Sequence, residues 1–233
     1  MKILKQVLGI DVAQKELVVS LGRVRTTQFS IRHPLAALGI GSVSPGTINI
    51  STNAVRFSTR GSGPEARNSV LNEPQGMGNE GTQVNAMRHT LWQASITTIF
   101  GEGTANEIGR AHENNPNAID GGLAQGANFA TRGLADESVD LANNVIGRGI
   151  GNANPEMGMK DLALQVLETF KTDGLWTATR QEDGTFSVSR TKITDDQHKT
   201  LKSVFEKLDN NGMTKEESKQ HNDKYKTSNP NVR

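Results

Sequence analysis

Asn85-Ala86-Met87-Arg88-His89-Thr90-Leu91-Trp92 is the stretch whose reading decides the fold. Together with Val84, Ile96, Ile99 and Phe100 it predicts a helix over 82–100, and Asn85, His89, Trp92 and Ile96 recur at the i, i+4, i+7, i+11 spacing of one stripe. Asn85 and His89 then project side by side. An ordinary core helix has little reason to collect an amide, an imidazole and an arginine, so the stretch reads as helical and as part of a site.

Two further clusters lie downstream. Gly101 and Gly103 end the first helix, and Thr104-Ala105-Asn106-Glu107 has the pattern of a capping box opening a second helix over 105–113, which closes on Ala111-His112-Glu113. Asn114-Asn115-Pro116 forces the chain out, and 117–133 is a glycine-rich excursion. Asp136 is placed to cap a third helix reaching about Ile146, with Asp140 and Asn144 one turn apart inside Asp140-Leu141-Ala142-Asn143-Asn144-Val145-Ile146-Gly147-Arg148. Gly147, Gly149 and Gly151 are expected to loosen the chain after it.

Beyond them, 160–171 carries Leu162, Val166, Leu167 and Phe170 on one side and predicts an amphipathic core helix. Two β-type runs, 175–179 and 185–189, meet across Asp183-Gly184 as a hairpin. A last helix is expected over 195–208, capped by Thr194, and the charged, apolar-poor tail after Asn210 is expected to be disordered. Upstream, runs at 3–10 and 16–21 suggest a short N-terminal β-hairpin. Between them and the central helices the chain is polar, with apolar islands at 31–40 and 47–57. In the second island Ser51 or Thr52 would cap a short helix, while 47–50 alone would pass for a strand. The fold class is therefore mainly α, with a small β-hairpin near the C-terminus and another at the start. The expected organisation is a fragment at 1–22, a loop-rich lead-in at 23–81, a helical domain at 82–208 that includes the hairpin 175–189, and a tail at 209–233.

Composition narrows the function classes. A chain of 233 residues with 34% hydrophobic and 4% aromatic residues and 24 glycines has a lean core and much loop. A formal net charge of +1 supplies no global field toward nucleic acid or anionic membrane, and the tail's lysines are interleaved with acids. The absence of cysteine removes disulfides, thiolate nucleophiles and Cys-ligated zinc. No apolar run is long enough to span a bilayer, and Asp11 and Lys15 interrupt the apolar start too early for a signal peptide. The expectation is a chain that stays in the producer's cytoplasm unless a specialised system exports it.

The polar clusters nominate His89, His112, Glu113 and Asp140 as catalytic groups, with Asn85, Arg88, Trp92, Asn143, Asn144 and Arg148 as substrate-binding groups. An imidazole and a carboxylate at a helix end beside a proline-broken loop stand where a ligand can reach. The His-Glu-x-x-His zinc pattern is absent, because Glu113 is followed by Asn114-Asn115-Pro116. Two chemistries stay open: a divalent metal, zinc or calcium, on His89, His112, Glu113 and Asp140, or general acid–base catalysis with Asn144 or Arg148 stabilising negative charge. The bland alternative is a hydrogen-bonded network that merely holds three helices together. Nucleophile elbows, phosphate loops and dinucleotide fingerprints do not occur in a strand-turn-helix context. Asp209-Asn210-Asn211-Gly212 lacks the alternating ligands of a calcium loop and reads as a helix stop.

Two resemblances accompany this reading. Gly9-Ile10-Asp11-Val12-Ala13-Gln14-Lys15-Glu16-Leu17 resembles the first strand of insertion-sequence transposases with a ribonuclease-H-like (RuvC-like) domain, in which the aspartate at Asp11's place is a metal ligand. That likeness stops near residue 22, and no carboxylates follow in that family's pattern; a transposase-derived remnant is the alternative reading that this start leaves open. Phe29-Ser30-Ile31-Arg32-His33-Pro34, the island 49–57, and the three central clusters resemble the C-terminal domains of Rhs-type and related polymorphic toxins, over about 25–155. This second resemblance implies an antibacterial effector, delivered by a secretion apparatus, often type VI, and neutralised in the producer by a cognate immunity protein; the polar clusters add the expectation of a hydrolase. The chain departs from that family by carrying the transposase-like start in place of a repeat-containing delivery portion.

Overall fold

Helix 83–100 is the axis of the molecule, and its sequence shows why. In a computed structural model that describes residues 23–61, 69–71 and 80–228, this helix, α4 (Gln83–Phe100), has twelve of its 18 residues buried. Ala, Thr, Ser and Gln alternate with Met, Leu, Trp and Ile around its circumference, so neighbours can pack on every side. Thr82 caps it, its hydroxyl accepting from the Asn85 N–H.

Around this axis the described residues form a mainly α fold. In chain order they give α1 over 23–32, α2 (Pro34–Ile40), α3 (Ile50–Ser58), α4, α5 (Glu102–His112), β1 (Ala127–Phe129), α6 (Arg132–Ala153), α7 (Met159–Thr172), β2 (Leu175–Arg180), β3 (Phe186–Thr191), α8 (Asp195–Phe205) and α9 (Lys215–Ser228). One side of α4 shares a core with α7, α8 and the start of β2 through Met87, Leu91, Leu167, Phe170, Leu175 and Phe205. The other side packs Trp92 and Ile96 against Phe29, Ile40, Ile50, Ala54 and Ile108 of the lead-in and α5. No described helix is long and apolar enough to cross a membrane.

The closest pairing is α4 with α6, and two glycines permit it. A Cβ on Gly147 would stand 2.3 Å from the Thr90 carbonyl oxygen, and one on Gly151 would stand 2.6 Å from that of Ala94. The expectation that Gly147, Gly149 and Gly151 loosen the chain is therefore corrected. At Gly147 and Gly151 the missing side chain lets two backbones touch, and α6 runs unbroken to Ala153. Asp136 does not cap this helix either; Thr131 does, accepting from the Leu134 N–H.

The hairpin forms as expected, β2 pairing antiparallel with β3 in register Thr177↔Ser189. A third strand joins it from the glycine-rich excursion: β1 pairs with β3, giving the order β1-β3-β2. Three residues of β1, Ala127-Asn128-Phe129, are too short to show a period. The sheet lies on α6, where Ala135 and Val139 meet Ala178 and Val188.

Other local expectations are corrected. The Thr104 capping box is not made, because Gly101, at φ +84, both ends α4 and opens α5 at Glu102. The lead-in holds three short helices, and α3 is capped by Asn49, whose side chain accepts from the Thr52 N–H, in preference to Ser51 or Thr52. After Asp209, whose carboxylate accepts from the Asn211 and Met213 N–H groups, the chain expected to be disordered continues as α9. Its anchor is Glu217, which accepts from Arg60 and from the Thr214 N–H. The N-terminal hairpin and Asp11 lie outside the described residues.

Candidate functional site

Three helices meet where their polar residues face one another. From α4 comes His89, from the end of α5 comes Glu113, and from α6 comes Asp140; one ligand atom of each lies within 4.8 Å of the others. Among the described residues this is the one group of His and acidic side chains so disposed. His89 Nε2 stands 3.2 Å from Asp140 Oδ2. Glu113 is 7% exposed and Asp140 4%, so both carboxylates sit in low dielectric.

The surrounding hydrogen bonds fix two of the three. Asn85, one turn before His89, donates from Nδ2 to Asp140 Oδ1 at 2.6 Å and to Asp136 Oδ1 at 2.9 Å. Asp136 also accepts from the Gly81 N–H at 2.6 Å. Arg88 donates to the Asn85 side-chain oxygen Oδ1 and lies 3.3 Å from His89 Nε2. On its far side the His89 ring presents Nδ1 to Asn144 Oδ1 at 3.3 Å. Glu113 differs: among the described residues no donor reaches its carboxylate, although Arg25 donates to its backbone carbonyl.

Burial dominates the ionisation of the group. It pushes the Glu113 carboxyl up to about 8, helped by Asp136 and Glu137 and opposed by Arg88. Asp136 rises to about 6, again by burial first, with the Gly81 N–H pulling the other way. Asp140 lies well above the ordinary carboxylate range through burial and then the nearby Asp136 and Glu113. His89 is held well below its ordinary value by burial, then by Arg88 and His112. The centre thus holds a neutral imidazole beside acids reluctant to ionise, with Arg88 as the cation that acts on all three carboxyls.

Next to the cluster an open cleft of about 250 Å³ is lined by Val43, Ser51, Arg88, His89, Trp92 and His112. Trp92 donates from Nε1 to Ser51 Oγ at 3.0 Å and meets the His112 ring edge-on, with centroids 5.3 Å apart. His112 is therefore a wall of the cleft and stays outside the group of mutual ligands. Burial and Arg88 lower its basicity.

The remaining nominated residues divide by direction. Asn143 points away from the cleft, pairing with the backbone of β2: its Nδ2 donates to the Trp176 carbonyl and its Oδ1 accepts from the Trp176 N–H, both at 2.9 Å. It ties α6 to β2 and does not line the cleft. Arg148 lies two turns along α6 from Asp140 and touches Gln93 Oε1 at 3.4 Å, so it does not reach the cluster. Asn144 serves His89. Asp136 is the residue that sequence reasoning placed at a helix cap and the fold places in the site; the spacing Asp136, Asp140, Asn144, Gly147 is one stripe of a single helix and carried that signal.

A family model described as a domain of unknown function (DUF6973) matches residues 28–173, more than half of the chain and every residue of the cluster. No curated protein and no solved structure matches.

Proposed function

Since the chain belongs to the DUF6973 family, whose description assigns no activity, we propose its function from the site itself: an antibacterial effector domain that hydrolyses a component of the target cell. The observation that carries this reading is the convergence of His89, Glu113 and Asp140 from three separate helices beside an open cleft. A purely structural network satisfies its members, whereas Glu113 is buried with no donor from the described residues and faces like charges. Such placement is costly, and functional sites are where proteins tolerate it.

In the proposed reaction the cluster binds a water and accepts its proton as the oxygen adds to an electrophilic carbonyl or phosphoryl centre. Glu113, whose carboxylate takes no hydrogen bond from the described residues, is the acceptor for that proton when ionised. Arg88, on the wall of the cleft, stabilises the negative charge that develops, and the leaving group departs with the proton returned to it. Trp92 and Val43 give the cleft an apolar side that orients the substrate. The likeness to polymorphic toxins over about 25–155 supports the biological setting: delivery by a secretion apparatus, and an immunity protein in the producer that covers the cleft.

The reading that competes is a non-enzymatic domain, and the Asn85 bridge between Asp136 and Asp140 is what favours it. Growth of a Gram-negative host separates the two. The whole chain is expressed inducibly in cytoplasmic and periplasm-directed forms, beside His89→Ala/His112→Ala at equal soluble level. Inhibition in one compartment, lost in the folded double variant, supports hydrolysis and locates the target. Soluble, folded wild type that inhibits in neither compartment overturns it.

A further inference from the structure

We infer that His89 Nε2, Glu113 and Asp140 together hold one divalent transition-metal ion, zinc or manganese, with its remaining positions open toward the Arg88–His112 cleft. The inference rests on the hydrolase reading for what the ion does and on geometry for where it sits.

Four features of the group point to a cation. His89 and Asp140 stand 3.2 Å apart through Nε2 and Oδ2, a spacing that two ligands about 2.1 Å from one ion take. Glu113 brings an oxygen within 4.8 Å of both. Second, Glu113 is 7% exposed and no donor from the described residues reaches its carboxylate, so its oxygens are free to take a ligand. Third, three buried carboxylates, Glu113, Asp136 and Asp140, share one nearby arginine; when all are ionised, a doubly charged ion brings the sum to zero.

The fourth feature is the far side of the imidazole. With Nδ1–H donating to Asn144 Oδ1, the Nε2 lone pair faces Asp140 Oδ2 at 3.2 Å, the arrangement in which one cation can take both as ligands. A metal-bound histidine characteristically donates its other N–H in this way, to an oxygen that fixes its tautomer. Asn85 does the same for Asp140 by donating to the oxygen turned away from His89. Arg88 lies 3.3 Å from Nε2 and borders the cleft. One nitrogen and two oxygens suit a borderline ion better than calcium, which takes six to eight oxygens. An Asn144 amide turned the other way would instead place an Nε2–H on Asp140, a metal-free dyad; titration with metal separates the two.

The purified whole chain, stripped with chelator, is titrated calorimetrically with Zn²⁺ alone and with Mn²⁺ alone. Glu113→Gln and Asp140→Asn are titrated in parallel, each first shown folded by circular dichroism. The expected result is one ion per wild-type chain, a melting temperature raised by the ion, and binding weakened at least about tenfold in Glu113→Gln. No binding by folded wild type at about 100 μM of either ion, or unchanged binding in Glu113→Gln, overturns the inference. Wild type that binds an ion yet inhibits growth in neither compartment upholds the metal site while removing the hydrolase reading.

Discussion

His89 Nε2 lies 3.2 Å from Asp140 Oδ2 across the α4–α6 contact, although the two residues are separated by 51 positions in the chain. That approach depends on backbones, not on long side chains. Gly147 and Gly151 let α6 settle onto the Thr90 and Ala94 carbonyls, which sets the register that puts Asp140 opposite His89.

Substitution at these glycines tests the point. Gly147→Ala forces its Cβ against the Thr90 oxygen, and the helices must separate; the expected loss is about 2 kcal/mol or more, as for other overpacked core sites. Gly149→Ala, on the same helix with nothing within 4 Å of its Cβ, should stabilise by roughly 0.5–1 kcal/mol through helix propensity. Urea unfolding of the pair measures both, and equal effects would refute the close-contact explanation.

Asn143 gives a second, separable expectation. Asn143→Ala leaves the Trp176 N–H and carbonyl without their partners, which should cost about 2 kcal/mol in chemical denaturation while leaving the cleft intact. Growth inhibition per folded molecule should be unchanged. A variant that stays fully stable but loses inhibition would return Asn143 to the substrate-binding role that its sequence position suggested.

Much of this was legible in the chain. The i, i+4 spacing of Asn85 and His89 announced a shared face, and Ala111-His112-Glu113 before Asn114-Asn115-Pro116 placed a carboxylate at a helix end; both stand so in the fold. What periodicity could not reveal was direction in three dimensions. Asn143 and Asn144 are neighbours in sequence, and a helix sends them about 100° apart, one to β2 and one to His89. The glycines after Ile146 read as breakers because local propensity counts the cost of glycine in a helix and not the contact that its missing Cβ allows. β1 was hidden because a three-residue strand owes its existence to β3, its partner 61 residues away at Ala127↔Val188 and nearer still along the register. α9 was hidden for a similar reason: its stretch is charged, and its anchor is the distant Arg60.

The Arg60–Glu217 pair carries a pH expectation. The hydrogen bond from Arg60, followed by those from Thr214, holds the folded Glu217 carboxyl below its ordinary value of 4.5. A carboxyl lowered on folding contributes stability that is present above the unfolded value and lost as pH falls through the folded one. Amide-exchange protection of α9 should therefore decline as pH drops from about 5 to about 3. Glu217→Gln should lose that part of the decline, starting from lower protection. A pH profile identical in wild type and variant would show that the pair does not anchor the helix.

Glu113→Gln tests the central claim most directly, with thermal stability in the presence of chelator and growth inhibition read on the same variant. Removing a buried carboxylate that faces Asp136 and Glu137 without a donor from the described residues should leave the stripped protein as stable as wild type or more so. Inhibition of the host should nevertheless be abolished. A Glu113→Gln chain that still inhibits growth at the wild-type level, or one that loses inhibition only because it unfolds, would contradict the assignment of this cluster as the reactive centre.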